Sequence, residues 1–164
     1  MLKKKIETDF WQALKEKNIL KYSALRMVRA DIINKEKEKR YRLSTENRDF
    51  TERELEEKSC LTDEEILEVI SSKIKRSRES IPSFEKGERE DLVKKEKEEI
   101  EILKDYLPEQ LSEKEIKKMV EETVKKVKAE GIKDMGKVMS ELMPNTKGKA
   151  DGALVSRIVK EMIS

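Results

Sequence analysis

An all-α fold is what this chain predicts, and three observations carry the prediction. Apolar residues recur at helical spacings of three and four through nearly the whole length. Only 5 Gly and 3 Pro interrupt 164 residues, and no stretch alternates apolar with polar residues as a half-buried strand does. The composition, 45% charged and 4% aromatic, suits long exposed helices around thin apolar seams.

Taken in order, Leu2, Ile6, Phe10, Ala13 and Leu14 mark one face of an opening helix that ends near Asn18. Leu25, Val28 and Ile32 continue in a second helix, whose charged extension from Glu36 to Arg42 has little left to bury. Residues 44–59 are polar and mixed, and read as a loop or a loosely held helical excursion. Thr62 and Glu65 form a capping box, the hydroxyl accepting from the Glu65 amide while that carboxylate reaches back. Ile66, Ile70, Ile74, Ile81 and Phe84 then trace one arm of a long antiparallel hairpin, with Ser77 as a polar gap. Pro82 should kink this arm rather than end it, and Gly87 is the expected residue just past its end. Leu92, Ile100, Leu103 and Leu107 make the return arm, closed by Pro108.

Ser112 with Glu115 repeats the capping box and opens a small three-helix tail domain. Ile116, Met119, Val120, Val124 and Val127 give its first face, with Gly131 expected to end that helix. Met135, Val138, Met139 and Leu142 give a second helix, which Pro144 should end. Leu154, Val155, Ile158, Val159, Met162 and Ile163 give a third with a wide apolar stripe. The expected domains are 1–108, with a charged insertion near 36–61, and 109–164.

Charge is uneven along the chain. Residues 1–50 carry a net +6, residues 51–112 a net −7 and residues 113–164 a net +3. Broad coating of nucleic acid needs a wide positive field, so only a local basic patch is open to this chain. No apolar run approaches the roughly 20 residues that span a bilayer, and a soluble cytoplasmic protein is expected. The single cysteine, Cys60, leaves no internal disulfide framework and no thiolate metal site.

Catalysis finds little to work with. The chain has no histidine, hence neither the commonest general base nor the commonest transition-metal ligand. Ser71-Ser72-Lys73 resembles an amidase nucleophile run, but it sits within an apolar-periodic helix and reads as helix surface. Glu64-Glu65 and Glu98-Glu99 point to different helix faces and read as solubility charges. Gly148-Lys149 lacks the upstream spacing and the Ser/Thr of a nucleotide-binding loop. No catalytic residue, metal or cofactor is expected.

The most informative stretch lies near the C-terminus. Lys147-Gly148-Lys149 forms a short basic loop between two helices, and Asp151 is the expected N-cap of the second. A helix N-terminus beside such a loop favours anions, phosphate among them. Asp134-Met135-Gly136-Lys137-Val138-Met139 followed by Lys147-Gly148-Lys149-Ala150-Asp151-Gly152 resembles the YqeY-like family, whose helical domain also forms the tail of the B subunit of glutamine-dependent tRNA amidotransferases. Leu25 to Ala30, Glu79 to Gly87 and Tyr106 to Ser112 fit the same family, in the same order.

That resemblance implies a tRNA- or RNA-binding accessory protein, in the family label a carbon–nitrogen ligase with glutamine as amide donor, without the catalytic core. Structured RNA and an amidotransferase or aminoacyl-tRNA complex are the implied partners, and a helical protein-interaction module is the alternative. Lys137, Lys147, Gly148, Lys149, Arg157 and Lys160 are the candidate phosphate-binding residues. Arg26 and Arg29, with Lys21 one turn earlier, are expected to bridge to the acidic hairpin.

Overall fold

The computed structural model describes residues 1–163. Among them the chain forms eight α-helices, one 3-10 turn and no strand, so the fold is all-α. None of these helices is long and apolar enough to cross a membrane. Two compact units result, Met1–Tyr106 and the chain from Leu107 onward.

In the first unit α1 (Leu2–Lys15) buries Ile6, Phe10 and Ala13. Its partner α2 (Ile19–Glu46) starts at Asn18, whose side chain accepts from the Lys21 amide. Against α2 pack α1, α3 (Glu52–Ser59), α4 (Asp63–Lys86) and α5 (Glu90–Lys104), which makes α2 the shared strut of this unit. Its first half buries Ala24, Leu25, Val28 and Ile32. Its charged second half is instead fastened by polar contacts. Glu36 accepts from Lys3 at 2.6 Å and from the Leu61 amide at 3.1 Å. Lys39 meets Glu65 at 2.9 Å, Lys35 meets Glu68 at 3.9 Å, and Asp31 pairs with Arg76.

The polar segment 44–59 is more ordered than its composition predicts. After α2 ends at Glu46, α3 begins behind a capping box of Thr51 and Glu54 and buries Leu55. Thr62 and Glu65 then cap α4 as expected, and α4 continues through Pro82 to Lys86. Gly87, at φ −85°, is not the left-handed residue after α4; Glu88 is, at φ 54°. Arg29 and Lys21 also differ from expectation, since their carboxylate partners lie on α1 and not on the acidic hairpin. Arg29 pairs with Glu7 at 2.8 Å and Lys21 with Asp9 at 3.9 Å, while Arg26 is exposed.

Ser71-Ser72-Lys73 is not simply helix surface, because Lys73 is 7% exposed. Its ammonium donates to Ser77 at 3.1 Å, which explains the polar gap in the α4 stripe. It also lies 4.0 Å from Glu96 and 3.9 Å from Glu99 on α5. Glu99, read above as a solubility charge, is 3% exposed and accepts from Ser23 of α2 at 3.2 Å. One buried cation thus ties three helices. At the end of α5 the Tyr106 hydroxyl donates to Asp9 of α1 at 2.5 Å.

Replacing Lys73 with Met removes the buried cation that Glu96 and Glu99 share, leaving Glu99 only the more exposed Lys95 at 3.8 Å, and should cost about 3 kcal/mol; urea unfolding should show a lowered midpoint, partly restored by adding Glu99→Gln. Burial, with the Asp9 hydrogen bond and charge behind it, raises the Tyr106 phenol above its ordinary range. A raised folded-state pKa means its contribution is intact below about pH 10, the ordinary phenol value, and is lost as pH rises from there through the folded value. Tyr106→Phe should therefore flatten the alkaline fall in melting temperature.

Candidate nucleic-acid interface

The second unit closes around Ile116, Val120, Val138, Leu142, Val155, Ile158, Val159 and Ile163. These come from α6 (Glu113–Val127), α7 (Met135–Thr146) and α8 (Gly152–Ile163), the first opened by the expected Ser112–Glu115 capping box. The Ser112 side-chain hydroxyl, followed by the Ser112 backbone amide, donates to the Glu115 carboxylate and holds that carboxyl below its usual range. Two helix ends differ from expectation. The left-handed residue closing α6 is Lys128, at φ 52°, three residues before Gly131. Pro144 lies within α7, which ends two residues later at Thr146.

From Thr146 the chain turns sharply. The Thr146 carbonyl accepts from the amides of Lys149 at 2.9 Å and Ala150 at 3.0 Å. This turn places Gly148 at φ 73°, a left-handed conformation that a Cβ disfavours. The loop is then clamped from outside. Gln110 donates its side-chain amide to the Gly148 carbonyl at 2.8 Å, and the Leu111 amide donates to the Lys149 carbonyl at 2.7 Å. Gln110 lies within the Tyr106–Ser112 motif, yet nothing in its sequence spacing announces this clamp. The loop backbone is fixed by residues about 40 positions away in sequence.

The helix N-terminus itself is not an open anion site. Asp151 caps α8 as expected, its Oδ1 accepting from Ala153 at 2.7 Å and Leu154 at 3.4 Å. A carboxylate therefore occupies the place where a phosphate would have met those amides, and the case for anion binding passes to the lysines.

The six candidates do not form one cluster. Lys147, Gly148 and Lys149 are contiguous in the loop, with Lys149 exposed and Lys147 half-buried. Lys149 makes no ion pair among the described residues. Lys137 sits on the first turn of α7, about 15 Å along the helix from Lys147, and pairs with Asp134 at 2.7 Å. Lys137, followed by the Glu130 amide, holds the Asp134 carboxyl below its usual range. On α8 Arg157 lies 3.8 Å from Glu161 and also influences Glu113 and Lys117, themselves paired at 2.9 Å. Lys160 is exposed on the same helix and is not without a partner. Of the six, the loop residues are the compact group.

Comparison with known proteins assigns the chain as a whole. The model of the Yqey-like protein family matches residues 34–163. Altered inheritance of mitochondria protein 41, mitochondrial, from Pyrenophora tritici-repentis is 29% identical over 162 residues, covering 97% of this chain and 79% of that relative. An uncharacterised protein of Schizosaccharomyces pombe is 40% identical over 55 residues, covering 34% of this chain and 45% of its own length. With the family match spanning most of its residues, the chain belongs to the YqeY-like family.

Proposed function

We propose that this protein is an RNA-binding accessory protein, with tRNA as its first candidate partner, and that it binds without catalysing a reaction of its own. The observation that supports this reading is the clamped loop: a rigid backbone at Gly148 carrying two lysines, one of them exposed and unpaired. Fixing the backbone in advance lowers the ordering cost of meeting a phosphate. Lysines at such a loop position an RNA by its backbone and read no bases. The sequence resemblance to the amidotransferase tail points to the same partner class. Its place of action would be a compartment that holds tRNA.

The rest of the surface fits a local contact better than a broad one. A wide hollow at the turn between α4 and α5 is lined by Glu85, Glu88, Glu90, Asp91 and Glu98, with only Lys94 and Lys97 opposing them. That end of the hairpin repels a polyanion. The Lys73–Ser77 pair offers no nucleophile either, because both side chains are buried.

Titration of fluorescently labelled tRNA tests the proposal. Binding should weaken with added salt, and Lys147→Ala/Lys149→Ala should weaken it at low salt by roughly tenfold and flatten the salt slope by about two. Undiminished binding in that variant removes the loop from the interface. Gly148→Ala examines the backbone instead: forcing a Cβ into the left-handed region costs about 1 kcal/mol. It should lower the melting temperature of this unit and weaken tRNA binding while leaving both lysines in place.

A further inference from the structure

We infer that the outer face shared by α1 and α2 is a second RNA contact, one that stacks an unpaired base on Trp11 between flanking cations. It rests on the RNA-binding reading above and deepens it, because it specifies RNA with single-stranded, unstacked bases. Trp11 is the chain's only tryptophan and is 53% exposed. Its ring stands edge-on to buried Phe10, with centroids 5.1 Å apart and planes at 76°. Phe10 in turn stacks on Tyr22 of α2 at 4.9 Å. The indole is therefore held in place while much of its surface remains in solvent.

Arg29 of α2 seals the seam beneath it. The guanidinium lies 4.1 Å from the Phe10 centroid and 5.9 Å from that of Trp11, and its Nε donates to Glu7 at 2.8 Å. Glu7, the carboxylate on this side of α1, is thereby neutralised. Helical periodicity puts Lys4 and Lys15 on the Trp11 side of α1, and Arg26 and Lys37 on one side of α2 in line with Arg29. All four are exposed, and none has an ion-pair partner among the described residues. Most other cations of this unit are spent on carboxylates, as Lys3, Lys21, Lys35, Lys39 and Arg76 show.

Unpaired cations around a supported aromatic face match a single strand of RNA. Phosphates meet the cations, and any base has a flat surface to lay on the indole. The cores of protein–protein interfaces are depleted of charge, whereas here Arg29 lies 5.9 Å from the ring and four further cations share the helix faces that flank it. The net +6 of residues 1–50 supplies a matching local field.

The single tryptophan makes the test direct. Titration with an oligouridine of about a dozen nucleotides, at low salt, should give a saturable fall in Trp11 emission. The fall should persist in Lys147→Ala/Lys149→Ala, while Arg26→Gln/Lys37→Gln should weaken binding by about tenfold. By anisotropy of labelled RNA, Trp11→Ala should lose roughly tenfold in affinity and Trp11→Phe should keep most of it; thermal melts establish that each variant is folded. Emission that stays constant while tRNA still binds overturns this contact and leaves the loop reading standing. Failure of every RNA to bind overturns both. Equal quenching by a blunt RNA duplex removes the stacking, and a blue shift that grows with protein concentration in the absence of RNA assigns the face to self-association instead.

Discussion

The first unit depends on a single constraint: α2 must hold four neighbouring helices with too little apolar surface to register them all. Only its first half carries core residues, Ala24, Leu25, Val28 and Ile32. From Asp31 onward the helix is positioned largely by charge, through Asp31, Lys35, Glu36 and Lys39. Ion pairs that still reach solvent, as these half-buried ones do, contribute about 0–1 kcal/mol each and are weak glue. The buried Lys73 differs in kind. A register slip between α4 and α5 would leave Lys73 desolvated and without its carboxylates, a cost large enough to exclude the slipped packing. Apolar seams supply most of the cohesion here, and charge selects which seam meets which.

How legible this was in the sequence depended on the kind of signal. The helical class, the capping boxes at Thr62 and Ser112 and the N-cap at Asp151 were readable because each is a local pattern with a local cause. Thr51 and Glu54 carry the same signature, so α3 could have been recognised despite its polar composition. Left-handed helix ends were misplaced for a different reason. Glycine relieves such a conformation but is not required for it, and the chain puts Glu88 and Lys128 there instead. Partners of Arg29, Lys73 and Glu99 were unreadable, because which helices adjoin is decided by the packing of the whole unit.

The candidate loop shows the same division. Its lysines and its glycine stand out in the sequence, and Gly148 does occupy a conformation that favours glycine. What the spacing suggested wrongly was an open helix N-terminus. A capping carboxylate and a bound phosphate compete for the same amides, so a strong Asp cap argues against the anion site that the helix dipole would otherwise favour. The clamp by Gln110 and Leu111 was invisible for the opposite reason, since it joins backbone carbonyls to a distant segment and leaves no side-chain signature.

On the RNA reading, charge distribution settles what kind of binder this chain can be. An acidic middle of net −7 between basic ends cannot lie along a polyanion over its full length. Binding must then be confined to small basic areas, each neutralising only a few phosphates, and such contacts lose affinity only modestly as salt rises. Few phosphates also mean little affinity from electrostatics alone. A loop that is rigid before binding recovers some of it by lowering the ordering cost, and a supported aromatic face adds stacking that salt barely screens. A helical protein with a net charge of only +2 therefore needs preorganised geometry, more than total charge, to hold an RNA.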